Sequence, residues 1–356
     1  MSLPDATALI YGVTGYIGRL CARRAQESGL RPVLAARDQH QLAALGRELD
    51  LPTRAFALDD PAAVESGLRG VDVALNCAGP FDRTSDALVD ACLRTGTHYV
   101  DLAGEVPEFE TVAARDAEAR RAGVMLLPGA GFGVVPTDCL AAHLHARLPE
   151  ATHLELAFQT VGGLSRGTAR TLVRDLHRTG VRRQDGRFVP QRAAARRRRI
   201  DFGQGPVVAA INPWRADLFT AARSTGIPSI DVYTALPAPV RGLMRLAPRC
   251  PALFAARPWQ AGTDALIRRL PTGPTDRQLH AGSTRVWARV TAPGDRRVAA
   301  TLRGPEAYEF TARTARLILQ RVLGGAVTPG FQTPATAYGP DLVLDVSGVV
   351  RTDAPT

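Results

Sequence analysis

The sequence contains no lysine: all 44 basic residues among its 356 are arginines, against 34 acidic residues, which gives a formal net charge of +10. Chemistry that depends on lysine, such as a Schiff base or the lysine that accompanies a catalytic tyrosine, is therefore excluded. A basic surface favours acidic partners. The arginines are scattered, and no zinc spacing or aromatic RNA-binding motif accompanies them, so we expect no nucleic-acid binding.

Cysteine pairs, metal-ligand clusters and long apolar runs are also missing. The five cysteines form no Cys-x-x-Cys pair and have mostly apolar neighbours, which is typical of buried free thiols in a reducing compartment. No basic and apolar leader is visible at the N-terminus, and the longest apolar stretch, 124–135, has 12 residues and is interrupted by Gly and Pro. We therefore expect a cytoplasmic protein with no metal site and no stable membrane insertion.

The first third of the chain alternates short apolar runs with helical patterns. Predicted strands cover Ala8–Tyr11, Pro32–Ala36, Thr53–Ala57, Val71–Cys77, His98–Leu102 and Gly123–Leu127, and predicted helices cover Ile17–Ser28, Gln39–Leu49, Pro61–Leu68, Ser85–Thr95 and Pro107–Ala122. This alternation predicts right-handed βαβ units. The expected fold class is α/β, with residues 1–130 forming a Rossmann domain, a doubly wound parallel sheet.

After Pro128 the pattern changes to that of an α+β substrate and dimerisation domain, expected over residues 131–330. Predicted strands cover 153–160, 198–202, 207–211, 229–236, 284–291 and 297–303, and predicted helices cover 137–148, 166–179, 252–269 and 309–323. Arg196–Arg199 is interpreted as a solvated strand edge, whose charge discourages unwanted pairing, and 182–197 as a mobile loop. Residues 331–356 are expected to pack back on the first domain.

The strongest motif is Gly12-Val13-Thr14-Gly15-Tyr16-Ile17-Gly18, which follows the first strand and opens the first helix. Its glycines permit a tight turn, close approach of a pyrophosphate, and close packing of helix on strand. The helix N-terminus supplies N–H groups to the phosphates. The predicted cofactor-binding residues of this loop are Gly12, Thr14, Gly15, Tyr16, Ile17 and Gly18.

The residue at the end of the second strand distinguishes NADP from NAD. NAD sites place a carboxylate there, which accepts from the ribose 2′-OH. This strand ends in Arg37, whose guanidinium can pair with a 2′-phosphate through two charge-assisted hydrogen bonds. Asp38 lies one residue too far and is expected to start the following turn. The sequence therefore favours NADP(H).

Two further strand ends carry small or glycine-rich segments. Cys77, Ala78, Gly79, Pro80 and Gly104 are predicted to border the cofactor. Gly131, Phe132 and Gly133 follow the sixth strand, and their N–H groups are candidates to stabilise an anionic oxygen. A domain hinge is an equally good interpretation of this last loop.

These motifs together, with YVDLAGE at 99–105, PGAGFGVVPTD at 128–138, GGLSRGT at 162–168 and STGIPSIDVY at 224–233, resemble the saccharopine dehydrogenase-like oxidoreductases. Within that family the sequence is most similar to the bacterial trans-acting enoyl reductases. The resemblance implies an NADP-binding Rossmann domain and a second domain that shapes a substrate pocket. It does not imply saccharopine as the substrate, because the catalytic lysine of those enzymes is missing.

The reaction that this resemblance implies is NADPH-dependent reduction of an activated C=C, of the enoyl thioester type, on a small or carrier-bound metabolite. Such a reaction needs a proton donor, and Tyr233 is the first candidate, although a structural strand tyrosine is the more common case. Reduction of an imine or ketone, and NADP(H) binding without net redox chemistry, are the alternatives. A homodimer is left open.

Overall fold

The strands and helices of the chain divide between two sheets, and the computed structural model describes residues 6–354, apart from the side chains of residues 174 and 175. The strands are β1 Ala8–Tyr11, β2 Val33–Ala36, β3 Thr53–Ala55, β4 Val73–Asn76, β5 His98–Asp101, β6 Met125–Leu127, β7 His153–Val161, β8 Gly180–Gln184, β9 Arg187–Gln191, β10 Arg197–Asp201, β11 Pro206–Ile211, β12 Ser229–Ala235, β13 Ser283–Thr291, β14 Arg297–Gly304, β15 Gly330–Phe331 and β16 Val350–Asp353.

Helices connect these strands. They are α1 Tyr16–Glu27, α2 Gln39–Leu49, α3 Pro61–Leu68, α4 Phe81–Thr95, α5 Val106–Ala113, α6 Asp116–Ala122, α7 Val135–Arg147, α8 Arg166–Asp175, α9 Asp217–Thr225, α10 Ala238–Leu246, α11 Pro251–Ala255, α12 Arg257–Arg269, α13 Asp276–Ala281, α14 Ala307–Leu323 and α15 Pro334–Tyr338. None of the helices in the described part of the chain has both the length and the apolar character that crossing a membrane would require.

The first sheet is parallel, and its order is β15-β6-β5-β4-β1-β2-β3. Strands β1, β2 and β4 are buried at every position, as expected where helices cover both faces of a sheet. The predicted α/β doubly wound fold is confirmed. The sequence did not reveal β15, a two-residue strand that pairs with β6.

Contacts divide the chain into one unit that extends to Val135 and includes Tyr308–Val346, and another that consists of Pro136–Ala307 and the segment from Ser347 onward. The first unit therefore contains the Rossmann sheet, α14 and α15. The second contains β16, which pairs with β14 in antiparallel register. The tail from residue 331 onward is divided between the units: Phe331 of β15 and helix α15 belong to the first, and β16 belongs to the second.

The second sheet is mixed, with the path β10-β11-β12-β7-β13-β14-β16 and a β8–β9 hairpin beside β12. Burial alternates strictly along β13, which is typical of a strand with one face on the core and one face toward solvent. Strand β10, which contains Arg197–Arg199, lies at the end of the path, so the predicted edge position is confirmed.

The segment 182–197 is not the loop that we predicted. It contains most of a β-hairpin, β8 and β9, whose turn residues Asp185 and Gly186 have φ of 49° and 80°. An Asp-Gly pair with positive φ at both positions is the signature of a two-residue hairpin turn. We predicted a loop because the high arginine content of this segment outweighed the Asp-Gly signal.

Two predicted helices are each divided. The predicted helix 107–122 is α5 followed by α6, and the predicted helix 252–269 is α11 followed by α12. In the second case the break falls at Ala256, just before Arg257 and Pro258. Proline cannot donate the N–H bond of a helix interior but is tolerated in a first helical turn, so one helix ends before Pro258 and another begins with Pro258 in its first turn.

Candidate functional site

The loop between β1 and α1 has the geometry that a bound pyrophosphate requires. Gly12 has φ of +85°, and a Cβ there would lie 2.8 Å from the Ala78 backbone nitrogen. A Cβ on Gly18 would lie 2.3 Å from the Gly12 carbonyl oxygen, whereas one on Gly15 would meet only that oxygen, at 3.3 Å. Gly12 and Gly18 thus permit close packing inside the protein, and the exposed Gly15 leaves room for a ligand.

The N-terminus of α1 faces this loop without a competing charge. Its N-cap is Gly15, which has no side chain, and the first turn contains no acidic residue. Thr14, Tyr16 and Ile17 are half-buried, and the Tyr16 ring packs edge-on against Tyr308 at 5.3 Å. The helix dipole at this end favours an anion. The loop residues predicted from the sequence therefore fit a dinucleotide phosphate.

Arg37 and Asp38 lie in different environments, and Asp38 starts the following helix as the sequence predicted. Arg37 follows β2 and is exposed. Asp38 is the N-cap of α2: its carboxylate accepts from the Gln41 amide at 3.0 Å and from the Gln41 side chain. These bonds lower the pKa of Asp38. The carboxylate that would favour NAD is therefore engaged in helix capping, and the guanidinium is the exposed charged group at this strand end.

The segment after β4 is held in place by Asn76. Its side-chain oxygen accepts from the Ala78 amide at 3.0 Å, and its amide nitrogen donates to Thr84, whose hydroxyl in turn donates to the Ala78 carbonyl at 2.7 Å. Cys77 is buried, and burial raises the pKa of its thiol well above the ordinary range. This strand end is a fixed, uncharged edge, which suits the predicted position beside the cofactor.

Asp101, the last residue of β5, ties two of the predicted loops together. Its side-chain oxygen Oδ1 accepts from the amides of Ala103 and Gly129, both at 2.9 Å, and its carbonyl accepts from Ala130 at 2.7 Å. The Tyr99 hydroxyl donates to Oδ2 at 2.9 Å. The carboxylate is completely buried, so it fixes the loop that carries Gly104 against the loop that leads to Gly131.

Burial disfavours the ionised form of Asp101 more than these hydrogen bonds favour it, and its pKa is raised to about 6 from the ordinary value of 3.8. Between these values the folded chain holds the proton more tightly than the unfolded chain does. The free energy of unfolding should therefore fall as the pH rises through this window, and this group should add no further change above pH 6.

Asp101→Asn tests this assignment, since asparagine keeps an oxygen for the two amides but does not ionise. Urea unfolding of the variant and the parent between pH 4 and 7 should show the variant gaining stability relative to the parent as the pH rises to about 6. Asp86→Asn, which removes an exposed carboxylate on α4, is the matched control. Parallel pH curves for the parent and Asp101→Asn would contradict the assignment.

The glycine-rich loop after β6 is fixed against α14. The Phe132 amide donates to the Thr311 hydroxyl of α14 at 3.1 Å, so this N–H is already bonded within the domain. A Cβ on Gly131 would lie 2.8 Å from the Thr311 methyl, which explains that glycine by close packing. Gly133 is half-buried, and the predicted role of this loop stays a prediction.

Tyr233 lies in β12 of the second sheet and is only 2% exposed. It belongs to an apolar cluster with Ile200, Phe202 and Ile211. Burial raises the pKa of its hydroxyl, and the neighbouring Asp231 raises it further, so the phenol keeps its proton at neutral pH. These surroundings are those of a core tyrosine, and its predicted role as proton donor stays a prediction.

Ion pairs between partly exposed arginines and buried carboxylates flank this cluster, and the sequence did not predict them. Arg196 donates from Nη1 to Asp231 Oδ1 at 2.9 Å and forms an ion pair from Nη2 to Oδ2 at 2.8 Å, while Arg198 and Arg289 share Glu155. The strand edge is therefore not simply solvated, because two of its arginines neutralise buried carboxylates. Residues alternate between the two faces along β7, β10 and β12, and this alternation places the charged groups on one face. The same alternation was the signal from which the sequence could have predicted the ion pairs.

The first domain is thus a dinucleotide-binding domain, with its ligand-side residues at the carboxyl ends of parallel strands. Residues 8–127 match the family model described as the saccharopine dehydrogenase NADP binding domain. The resemblance predicted from the motifs is confirmed for this domain, as is the choice of NADP(H) as its cofactor. In the described residues, no group of His, Cys, Asp and Glu has the arrangement of a metal site.

Curated relatives carry the name trans-acting enoyl reductase. That of Mycobacterium leprae is 33% identical over 150 residues, which are 40% of this chain and 36% of the relative. That of Mycobacterium ulcerans is 30% identical over 157 residues, which are 42% of this chain and 38% of the relative. The similarity therefore spans little more than a third of the length of these relatives.

A solved structure extends the fold comparison to the whole chain. The apo, histidine-tagged saccharopine dehydrogenase (L-Glu forming) from Saccharomyces cerevisiae aligns with a TM-score of 0.69 and covers 98% of this chain and 100% of its own, at 12% sequence identity. At this identity the alignment shows a shared fold. It confirms the predicted combination of a Rossmann domain with a second, mixed-sheet domain.

Proposed function

We propose that the chain is an NADPH-dependent reductase whose substrate is an activated C=C of the enoyl thioester type, on a small or carrier-bound metabolite. The observation that carries the proposal is the NADP-binding domain together with 30–33% identity to relatives named enoyl reductases. The second domain is proposed to shape the substrate pocket.

NADPH, when bound, supplies a hydride. The residues that fit it are the α1 N-terminus for the pyrophosphate, Arg37 for the 2′-phosphate, and the segments 77–80 and 104 at the neighbouring strand ends. Asp101 positions two of these loops through the Ala103 and Gly129 amides. The N–H groups of the loop 131–133 are the proposed donors to an enolate oxygen, and Tyr233 is the proposed proton donor.

The proposal predicts consumption of NADPH with enoyl thioesters. The purified chain would be mixed with NADPH and with panels of enoyl thioesters, imines and ketones, while the absorbance of the reduced nicotinamide is followed. Turnover only on imines or ketones would replace the proposed substrate class. Tight NADPH binding with no turnover on any panel would favour a redox-neutral role.

Two controls sharpen this experiment. Tyr233→Phe should lower kcat and leave NADPH affinity unchanged if Tyr233 donates the proton, whereas a change in thermal stability alone would assign it to the core. A carrier partner predicts faster reduction of carrier-bound than of small thioesters, with a rate that falls as salt is added. Equal and salt-insensitive rates would count against the carrier.

A further inference from the structure

Large apolar side chains that are exposed to solvent concentrate in one stretch of the sequence of the second unit. Of the eleven such side chains in the described residues, nine lie between residues 161 and 270. Six of them lie in residues 238–270, here called the basic helical segment, which contains α10, α11 and α12: Val240, Leu243, Leu246, Leu253, Leu266 and Leu270. Apolar surface concentrated in this way indicates an interaction site.

The basic helical segment is anchored by a small core that leaves these leucines outside. Met244, Ala247 and Phe254 are buried in one cluster with Leu176 of the α8 end. The Phe254 and Trp259 rings pack edge-on at 4.7 Å. The two aromatic side chains of the segment thus face inward, whereas Leu253 and Leu266 are 59% and 62% exposed.

The first helix of the segment, α10, is amphipathic, and it has exposed apolar side chains in addition to the one that packs in the core. At 3.6 residues per turn, Val240, Leu243 and Leu246 span a sector of about 120°. Arg241 and Arg245 occupy the opposite side of the same helix. The exposed apolar sector is adjacent to the buried Met244 on this helix, so the apolar surface of α10 continues from the core to the solvent.

The basic helical segment carries far more positive than negative charge. Its 33 positions include six arginines, 241, 245, 249, 257, 268 and 269, and a single acidic residue, Asp264. Asp264 already pairs with Arg170 of α8 at 3.1 Å and with Arg268 at 3.5 Å. Most of the arginines therefore add positive charge around the exposed leucines.

We propose that the basic helical segment docks the protein on an anionic phospholipid surface, with its leucines in the acyl boundary and its arginines among the headgroups. Short helices with aliphatic residues on one side and arginines on the other are typical of interfacial binding, and anionic lipid attracts each nearby arginine. A second copy of this surface would be repelled by its like charge. Protein hot spots favour exposed aromatic residues over leucine and valine, and here the aromatic residues are turned inward.

Vesicle co-sedimentation with the full-length chain tests the proposal. Vesicles of phosphatidylcholine alone are compared with vesicles that also contain phosphatidylglycerol, and we expect binding to the second kind that weakens as salt is added. The double variant Leu253→Gln/Leu266→Gln should lower partitioning about tenfold or more, since two large apolar side chains leave the lipid. Val350→Gln, at a residue of similar exposure (60%) on β16, is the matched control and should bind like the parent.

The readout involves no NADPH turnover, so it is independent of the proposed reductase activity. Absence of vesicle binding, equal binding to both kinds of vesicle, or binding unchanged in the leucine double variant would each overturn the proposal. If vesicles do not bind and the double variant instead slows reduction of carrier-bound but not of small thioesters, the occupant is an acidic protein. Circular dichroism of each variant confirms that the fold is retained.

Discussion

Replacing Arg37 with alanine should weaken NADPH binding by about 10- to 100-fold, because hydrogen bonds to charged groups contribute about 1.5–3 kcal/mol. NADH, which lacks the 2′-phosphate, should bind the variant about as well as it binds the parent. The expectation depends on the exposed guanidinium after β2 and on the absence of a free carboxylate beside it. Titration of each cofactor by nicotinamide fluorescence gives the two dissociation constants.

Asp38→Ala is the matched control for Arg37→Ala. It removes the neighbouring charge and the cap of α2, so we expect a lower melting temperature and an unchanged ratio of NADPH to NADH affinity. Equal losses for both cofactors in Arg37→Ala would rule out 2′-phosphate recognition by this residue. A shift of the ratio in Asp38→Ala would assign the discrimination to the carboxylate instead.

The Rossmann domain could be predicted closely from the sequence because its signals are local. Buried strands are short apolar runs, and several helix starts have a recognisable signal, such as the N-cap Asp38 before α2, or the N-cap Asp60 followed by Pro61 as the first residue of α3. The bounds of α2 and α3 agree residue for residue with the predictions. Strand β15 could not be found in this way, because two residues carry no periodicity and their partner strand, β6, lies far away in the sequence.

The second domain was predicted less well, because arginine content and tertiary contacts override local pattern there. The β8–β9 hairpin looks like a charged loop, and α9 has no strong cap, since its N-cap is Ala216. In the candidate site, the motif glycines and Arg37 could be identified from the sequence. Asp101 and Thr311 were not recognised as the groups that fix the loops, because their partners are backbone amides far away in the sequence.

Gly12→Ala should strongly damage the cofactor loop, because it combines an unfavourable backbone angle with close packing. Its left-handed φ of +85° costs an alanine about 1–2 kcal/mol. The added methyl would lie 2.8 Å from the Ala78 nitrogen and 2.9 Å from the Ala78 Cβ, and overpacking of this kind costs about 1–3 kcal/mol more. We expect a clear drop in the urea midpoint and loss of measurable NADPH binding.

Two further glycines separate the contributions to this effect. Gly29 has the same φ of +85°, and a Cβ placed on it would have no neighbour within 4 Å, so Gly29→Ala should show the backbone cost alone and bind NADPH normally. Gly15 has φ of −79°, which alanine adopts freely, and its Cβ would meet only the Gly12 oxygen. Gly15→Ala should therefore be nearly as stable as the parent. It should nevertheless bind NADPH more weakly than the parent, because the methyl occupies the space of the pyrophosphate.

If Gly12→Ala were no less stable than Gly29→Ala, close packing against Ala78 would not be the reason for glycine at position 12. If Gly15→Ala bound NADPH as the parent does, the pyrophosphate would not lie against this loop.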